Sequence, residues 1–129
     1  MNPEAKAYLL VALGSALGGV GRFWIAGLLA SRSASFPVAT IVVNVSGSFL
    51  IGILAAWLPD SRDSTPGLLG RAFLMVGVLG GYTTFSAFSL QTLELMGKGA
   101  WSAAASNVVV SVILCLAAVW LGYALGSRF

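Results

Sequence analysis

The sequence predicts an all-α integral membrane protein of four spanning helices, and three observations carry that prediction. Of the 129 residues, 58% are hydrophobic and 9% charged, too little charge to wet the surface of a soluble domain this small. The charges also gather at Glu4, Lys6, Arg32, Asp60, Arg62, Asp63, Arg71, Glu94, Lys98 and Arg128, with Arg22 the exception. The apolar runs between them reach the roughly 20 residues that a helix needs to cross hydrocarbon. Helices are the default there, because lipid leaves every backbone polar group to be satisfied within the segment. A β-barrel would show short alternating segments, and none appear.

The first span is expected over roughly residues 5–30. It ends at the polar cluster Ser31, Arg32, Ser33, ahead of Phe36-Pro37. The second is expected over 38–58, stopped by Pro59-Asp60. The longest connection follows, Pro59 to Pro66. The third span is expected over 68–96, closed by the tight turn Gly97-Lys98-Gly99, and the fourth over 100–125. Residues 1–129 thus read as one four-helix transmembrane domain, without a soluble domain or an internal repeat. The first span is not a cleaved signal peptide. It is too long, carries glycines and an arginine, and three more spans follow. Four spans put both termini on one side, with Lys6, Arg62, Arg71 and Arg128. Arg32 and Lys98 lie on the other. So slight a bias barely states an orientation, and it permits insertion both ways.

Several function classes are excluded. The net charge of +3 is not gathered into a patch, so nucleic acid is not a partner. The chain has no histidine, which removes the commonest metal ligand and general base. Cys115 is its single cysteine and forms no internal disulfide. No nucleophile–base pair, metal-ligand cluster or phosphate loop appears, so the chain is not expected to be an enzyme.

The third span is expected to be broken near mid-membrane. Residues 77–89 read GVLGGYTTFSAFS. Gly80-Gly81 is a poor helix interior, and Thr83-Thr84 is polar and β-branched. A break at that depth frees backbone groups that must face a pore, an ion or a partner chain. Close helix packing through small residues is the other reading of the same glycines. Phe85 and Phe88, three apart, share a helical face and are flanked by Ser86 and Ser89. An aromatic ring is negative on its face and positive at its edge, so ring edges can line a path for a small anion. Unlike a full charge, they would not hold it too tightly to release it.

Other polar groups stand within the spans. Arg22, in Gly-Gly-Val-Gly-Arg at 18–22, is expensive in lipid and is expected to face a cavity or a polar partner, or to snorkel. Asn44, in the run NVSGSFLIG at 44–52, offers donor and acceptor together. It would either contact an anion or bond another helix. Asn107, Ser111 and Cys115 repeat every four residues and form one polar-to-soft stripe on the fourth helix. The stripe suits either an anion track or packing.

The run Gly80-Gly81-Tyr82-Thr83-Thr84-Phe85-Ser86-Ala87-Phe88-Ser89 resembles the signature of the CrcB/Fluc family of fluoride channels. Gly-Gly-Val-Gly-Arg and Asn-x-x-Gly-x-Phe-x-x-Gly match that family's other two motifs, in the right order. The resemblance covers the whole chain in length and span number. It implies an antiparallel, dual-topology homodimer with two fluoride pores. It also implies a structural sodium ion at the dimer centre, on the backbone carbonyls of Gly80 and Thr83. The fluoride path it implies runs past Phe85 and Phe88, with Asn44 at the vestibule and Asn107 and Ser111 on the fourth helix. Thr84 and Ser86 beside the rings are expected to join that path, and Arg22 is expected to make a vestibule positive. Gln91 stands where the family often has Glu, Ala87 where it often has Thr, and Cys115 where a hydroxyl is common. These departures are expected to alter rate or inhibition and not the ion.

The function expected is therefore passive, fluoride-selective export through the inner (plasma) membrane, limiting fluoride toxicity. Fluoride, a second copy of the chain and the lipid bilayer are the expected partners. Sodium is the only expected cofactor. A small proton-coupled cation or multidrug exporter is the alternative, and the lack of a carboxylate in the first span argues against it. A membrane assembly factor that transports nothing is a third reading.

Overall fold

In a computed structural model the described residues form four helices long and apolar enough to cross a membrane: Pro3–Leu28, Val38–Trp57, Thr65–Gly97 and Trp101–Gly126. The structure describes residues 2–58 and 65–129. The expected stop at Pro59-Asp60, most of the Pro59–Pro66 connection and Arg62 lie outside the described residues. Among those described, every regular element is helical. The chain is a multi-pass membrane protein.

Helix α1, Pro3–Leu28, starts earlier than residue 5 because Asn2 caps it. The Asn2 side chain accepts from the Ala5 amide at 2.8 Å, and proline occupies the first helical position. A 3-10 turn, Ala30–Ser33, leads to α2, Val38–Trp57. Ser33 Oγ accepts from the Ala39 amide at 2.9 Å and ties that turn to the start of α2. The third span begins at α3, Thr65–Gly70, with Pro66 in its first turn, where a missing N–H matters least. From Arg71 to Leu79 it winds as a π-helix, a wider form that is rare and usually brief. Helical dihedrals return over α4, Gly80–Tyr82, and stop. Thr83 and Thr84 are extended, with ψ of 160° and 116°. Helix α5, Phe85–Gly97, follows, and Gly99, at φ 72°, turns the chain into α6, Trp101–Gly126.

The helices pair in two sets. Helix α1 lies along the π-helical segment and α4, while α2 lies along α6. Small residues set these distances. A Cβ on Gly18 would overlap the Val78 carbonyl, and one on Gly122 the Phe49 carbonyl. Backbones approach this closely where membrane helices associate by packing alone. Beyond Thr84 the chain leaves α1 and packs on α6. The two extended residues are thus the crossover between the helix sets.

One copy leaves most of its apolar surface uncovered. Leu13, Leu17, Val20, Trp24, Phe85, Ile113, Leu116 and Trp120 are among its exposed large side chains. The accessible area is 7892 Å², against about 6,500 Å² for a compact soluble monomer of this mass. Such a surface suits lipid or another protein and not water.

Candidate functional site

The crossover is held by Asn44 of α2. Its Nδ2 donates to the Thr84 carbonyl at 3.0 Å, and its Oδ1 accepts from the Thr84 amide at 2.8 Å. Thr84 in turn caps α5, its Oγ1 accepting from the Ala87 amide at 3.1 Å. Thr84 Oγ1 also lies 3.2 Å from Ser86 Oγ. Thr83 turns its hydroxyl back to the Leu79 carbonyl at 2.9 Å, and Gly47 on α2 leaves the space its methyl group fills. Tyr82 Oη meets Ser46 Oγ at 3.0 Å. Tyr82, at the end of α4, and the two crossover residues are therefore docked on α2.

This docking redirects two amides. In a continuous helix, Thr84 N–H would bond the Gly80 carbonyl and Ala87 N–H the Thr83 carbonyl. Both go to side-chain oxygens instead. The carbonyls of Gly80 and Thr83, like those of Gly81 and Tyr82 between them, therefore lack helical donors, and Gly80 and Thr83 line one cleft.

That cleft has a volume of about 430 Å³. It brings together Asn44, Gly80, Thr83, Thr84, Phe85, Phe88, Ser111 and Cys115 from α2, the third span and α6. None of its lining side chains is charged. The Phe85 and Phe88 rings lie 5.2 Å apart and are tilted by 45°. Phe88 is buried, whereas Phe85 is 78% exposed at the open side of the cleft.

Three expected site residues stand outside this lining. Ser86 is exposed beside Thr84. Arg22 is half-buried on α1 and makes no hydrogen bond or ion pair among the described residues. Asn107 is 1% exposed and sits behind Ser111. Its Nδ2 donates to Thr92 Oγ1 at 2.9 Å, and its Oδ1 accepts from Ser111 Oγ at 3.4 Å. Thr92 donates to the Phe88 carbonyl at 2.8 Å. The sequence reading did not single out Thr92. Its spacing of four from Phe88 is that of a hydroxyl bonding back along a helix, but nothing in the sequence pairs it with Asn107.

A second, smaller cavity of about 170 Å³ lies between the start of α2 and the end of α5. Ser33, Thr40, Gln91, Glu94 and Lys98 are among its lining residues. The Gln91 Oε1 atom is buried there with no protein hydrogen-bond partner.

Comparison with known proteins gives a consistent family. The family model described as "CrcB-like protein, Camphor Resistance (CrcB)" matches residues 9–123. The "Fluoride-specific ion channel FluC" of Opitutus terrae is 55% identical over 117 residues, covering 90% of this chain and 89% of that protein. The protein of the same name from Paramagnetospirillum magneticum is 55% identical over 118 residues, 90% of this chain and 91% of its own. That from Methylocella silvestris is 48% identical over 117 residues, 90% of this chain and 89% of its own. With nearly the whole chain matched by the family model and by relatives of the same length, this protein belongs to the CrcB family.

Proposed function

We propose that this chain is a subunit of a passive, fluoride-selective ion channel and not an enzyme. Its relatives' names point to fluoride. The observation that carries the reading is the uncharged cleft, in which an amide, hydroxyls and two aromatic rings converge. Fluoride is small and strongly hydrated, so a path must replace its water with several weak donors at once. Ring edges of Phe85 and Phe88, with the hydroxyls of Thr84, Ser86 and Ser111, supply such donors without a fixed cation that would trap the ion. Asn44 keeps one N–H beyond its bond to Thr84, and Arg22 contributes positive potential at a vestibule. Asn107 stands behind Ser111 in this path.

The functional unit is an antiparallel homodimer of dual topology. The open cleft, the exposed Phe85 and the large apolar surface support a second copy, and the slight charge bias permits either orientation. Gly80 and Thr83 are the residues that would hold a structural sodium ion. Two carbonyls without helical donors suit a hard cation, and such an ion would supply fixed positive charge at the dimer centre. The channel would work in the inner (plasma) membrane. Hydrogen fluoride enters uncharged and ionises inside, and the potential drives the anion out with about 2.3 kcal/mol per 100 mV. No coupling ion is required.

Proton-coupled cation export needs an intramembrane carboxylate, and the cleft has none. Phe85→Ile and Phe88→Ile test the path. Each replaces ring edges worth about 1 kcal/mol, so fluoride efflux from liposomes should slow about five- to tenfold while the dimer still elutes intact. Unchanged efflux in both variants would remove the rings from the path.

A further inference from the structure

The Ser111–Asn107–Thr92 chain has only one self-consistent direction. Thr92 Oγ1 lies 2.8 Å from the Phe88 carbonyl, which can only accept, so the Thr92 proton is committed there. Thr92 Oγ1 can then only accept from Asn107. The amide group facing it must be the NH₂, which places Asn107 Oδ1 toward Ser111. Ser111 must therefore be the donor in that contact. At 3.4 Å the contact is long for a hydroxyl bond, and Ser111 is the member of the chain that also lines the cleft. Its hydroxyl can turn from Asn107 to an anion at little loss.

From this we infer that Thr92 is a positioning residue for the ion path. Through Asn107 it fixes the polarity and place of the Ser111 hydroxyl, and through the Phe88 carbonyl it ties that hydroxyl to the ring beside it. Asn107 acts within this chain and does not touch the permeating ion. The inference rests on the channel reading and assigns a role that neither the family match nor the relatives' names contain. All four residues of the unit are buried, Thr92 at 7% and Asn107 at 1% exposure. Cleaving the chain at Thr92 thus leaves an amide unpaired where water cannot replace the partner.

The test compares Thr92→Val, Thr92→Ser, Asn107→Leu and the double variant Thr92→Val/Asn107→Leu. Fluoride efflux from liposomes and thermal unfolding of the detergent-solubilised protein are measured for each. Valine keeps the shape of threonine and loses both polar functions, so efflux is expected to slow about tenfold, the scale of one unpaired buried amide. Serine keeps the hydroxyl and is expected to restore efflux to within about twofold. The double variant removes the unpaired Asn107 amide, so its unfolding midpoint is expected above that of Thr92→Val. Its efflux is expected to equal that of Asn107→Leu, because Thr92 acts only through Asn107. Parental efflux in Thr92→Val, or equal loss in Thr92→Val and Thr92→Ser, would overturn the proposal and leave the channel reading standing. A double variant whose efflux falls well below that of Asn107→Leu would overturn it, because additive losses would mean that Thr92 acts independently of Asn107. Absence of fluoride efflux from the parent would instead remove the channel reading, and this inference with it.

Discussion

At Asn44 one side chain substitutes for two backbone hydrogen bonds. Its amide accepts from the N–H of Thr84 and donates to the carbonyl. In hydrocarbon those two groups have no water to turn to. Asn44→Leu should therefore lower stability by roughly 2 kcal/mol or more, read as a drop in the unfolding midpoint in detergent. A change below about 0.5 kcal/mol would show that the crossover is held by packing alone. At this scale the sequence was informative about residue type and less so about partners. Asn44, the two phenylalanines and Ser111 stood out as polar or aromatic groups within apolar runs, and the fold brings them to one cleft. Asn107 stood out for the same reason but is enclosed. A spacing of four places residues on one helix face and does not say whether that face meets a cavity or a neighbouring helix. Thr92 passed unnoticed because a single threonine in a helix has no signature until its partner on another helix is known.

At the scale of the element, glycines decide how close the helices come. On the α2–α6 pair, Gly122 has no room for a Cβ against the Phe49 carbonyl, and Gly52 faces Val119 in the same way. Gly122→Leu should separate these helices and lower stability by about 1–3 kcal/mol, the range for overpacking. Gly97→Ala is the control, because nothing lies near its Cβ position. Equal effects from both would refute a packing role for Gly122. Four helices were legible from apolar length and the placing of charge, since lipid imposes both. The third span was legible in part. Its glycines looked like the weak point, yet Gly80 and Gly81 are helical, and the extended residues are Thr83 and Thr84. The physical reason is that Asn44 and the Thr84 hydroxyl offer the crossover replacement bonds, while Gly81 packs directly on Ser15. The π-helical stretch over Arg71–Leu79 has no sequence signal, because wider winding depends on how α1 and α2 pack around it.

At the scale of the molecule, the single chain is an incomplete enclosure. Its cleft is open, Phe85 projects from it, and its accessible area exceeds that of a compact monomer by about 1,400 Å². Both features fit the proposed pairing of two copies, with each cleft closed by the other chain. A pore closed in this way, lined by weak donors and by no charged side chain, explains why an anion passes without a coupling ion. It also calls for a comparison of halides, because donors that must replace a hydration shell discriminate by how strongly each ion holds its water. The most direct test is efflux from liposomes containing the purified protein, with fluoride and chloride compared under the same valinomycin-driven potassium gradient. Rapid, valinomycin-dependent fluoride efflux with no chloride signal is the result expected. A folded, assembled protein that releases no fluoride, or releases chloride as readily, would contradict the account.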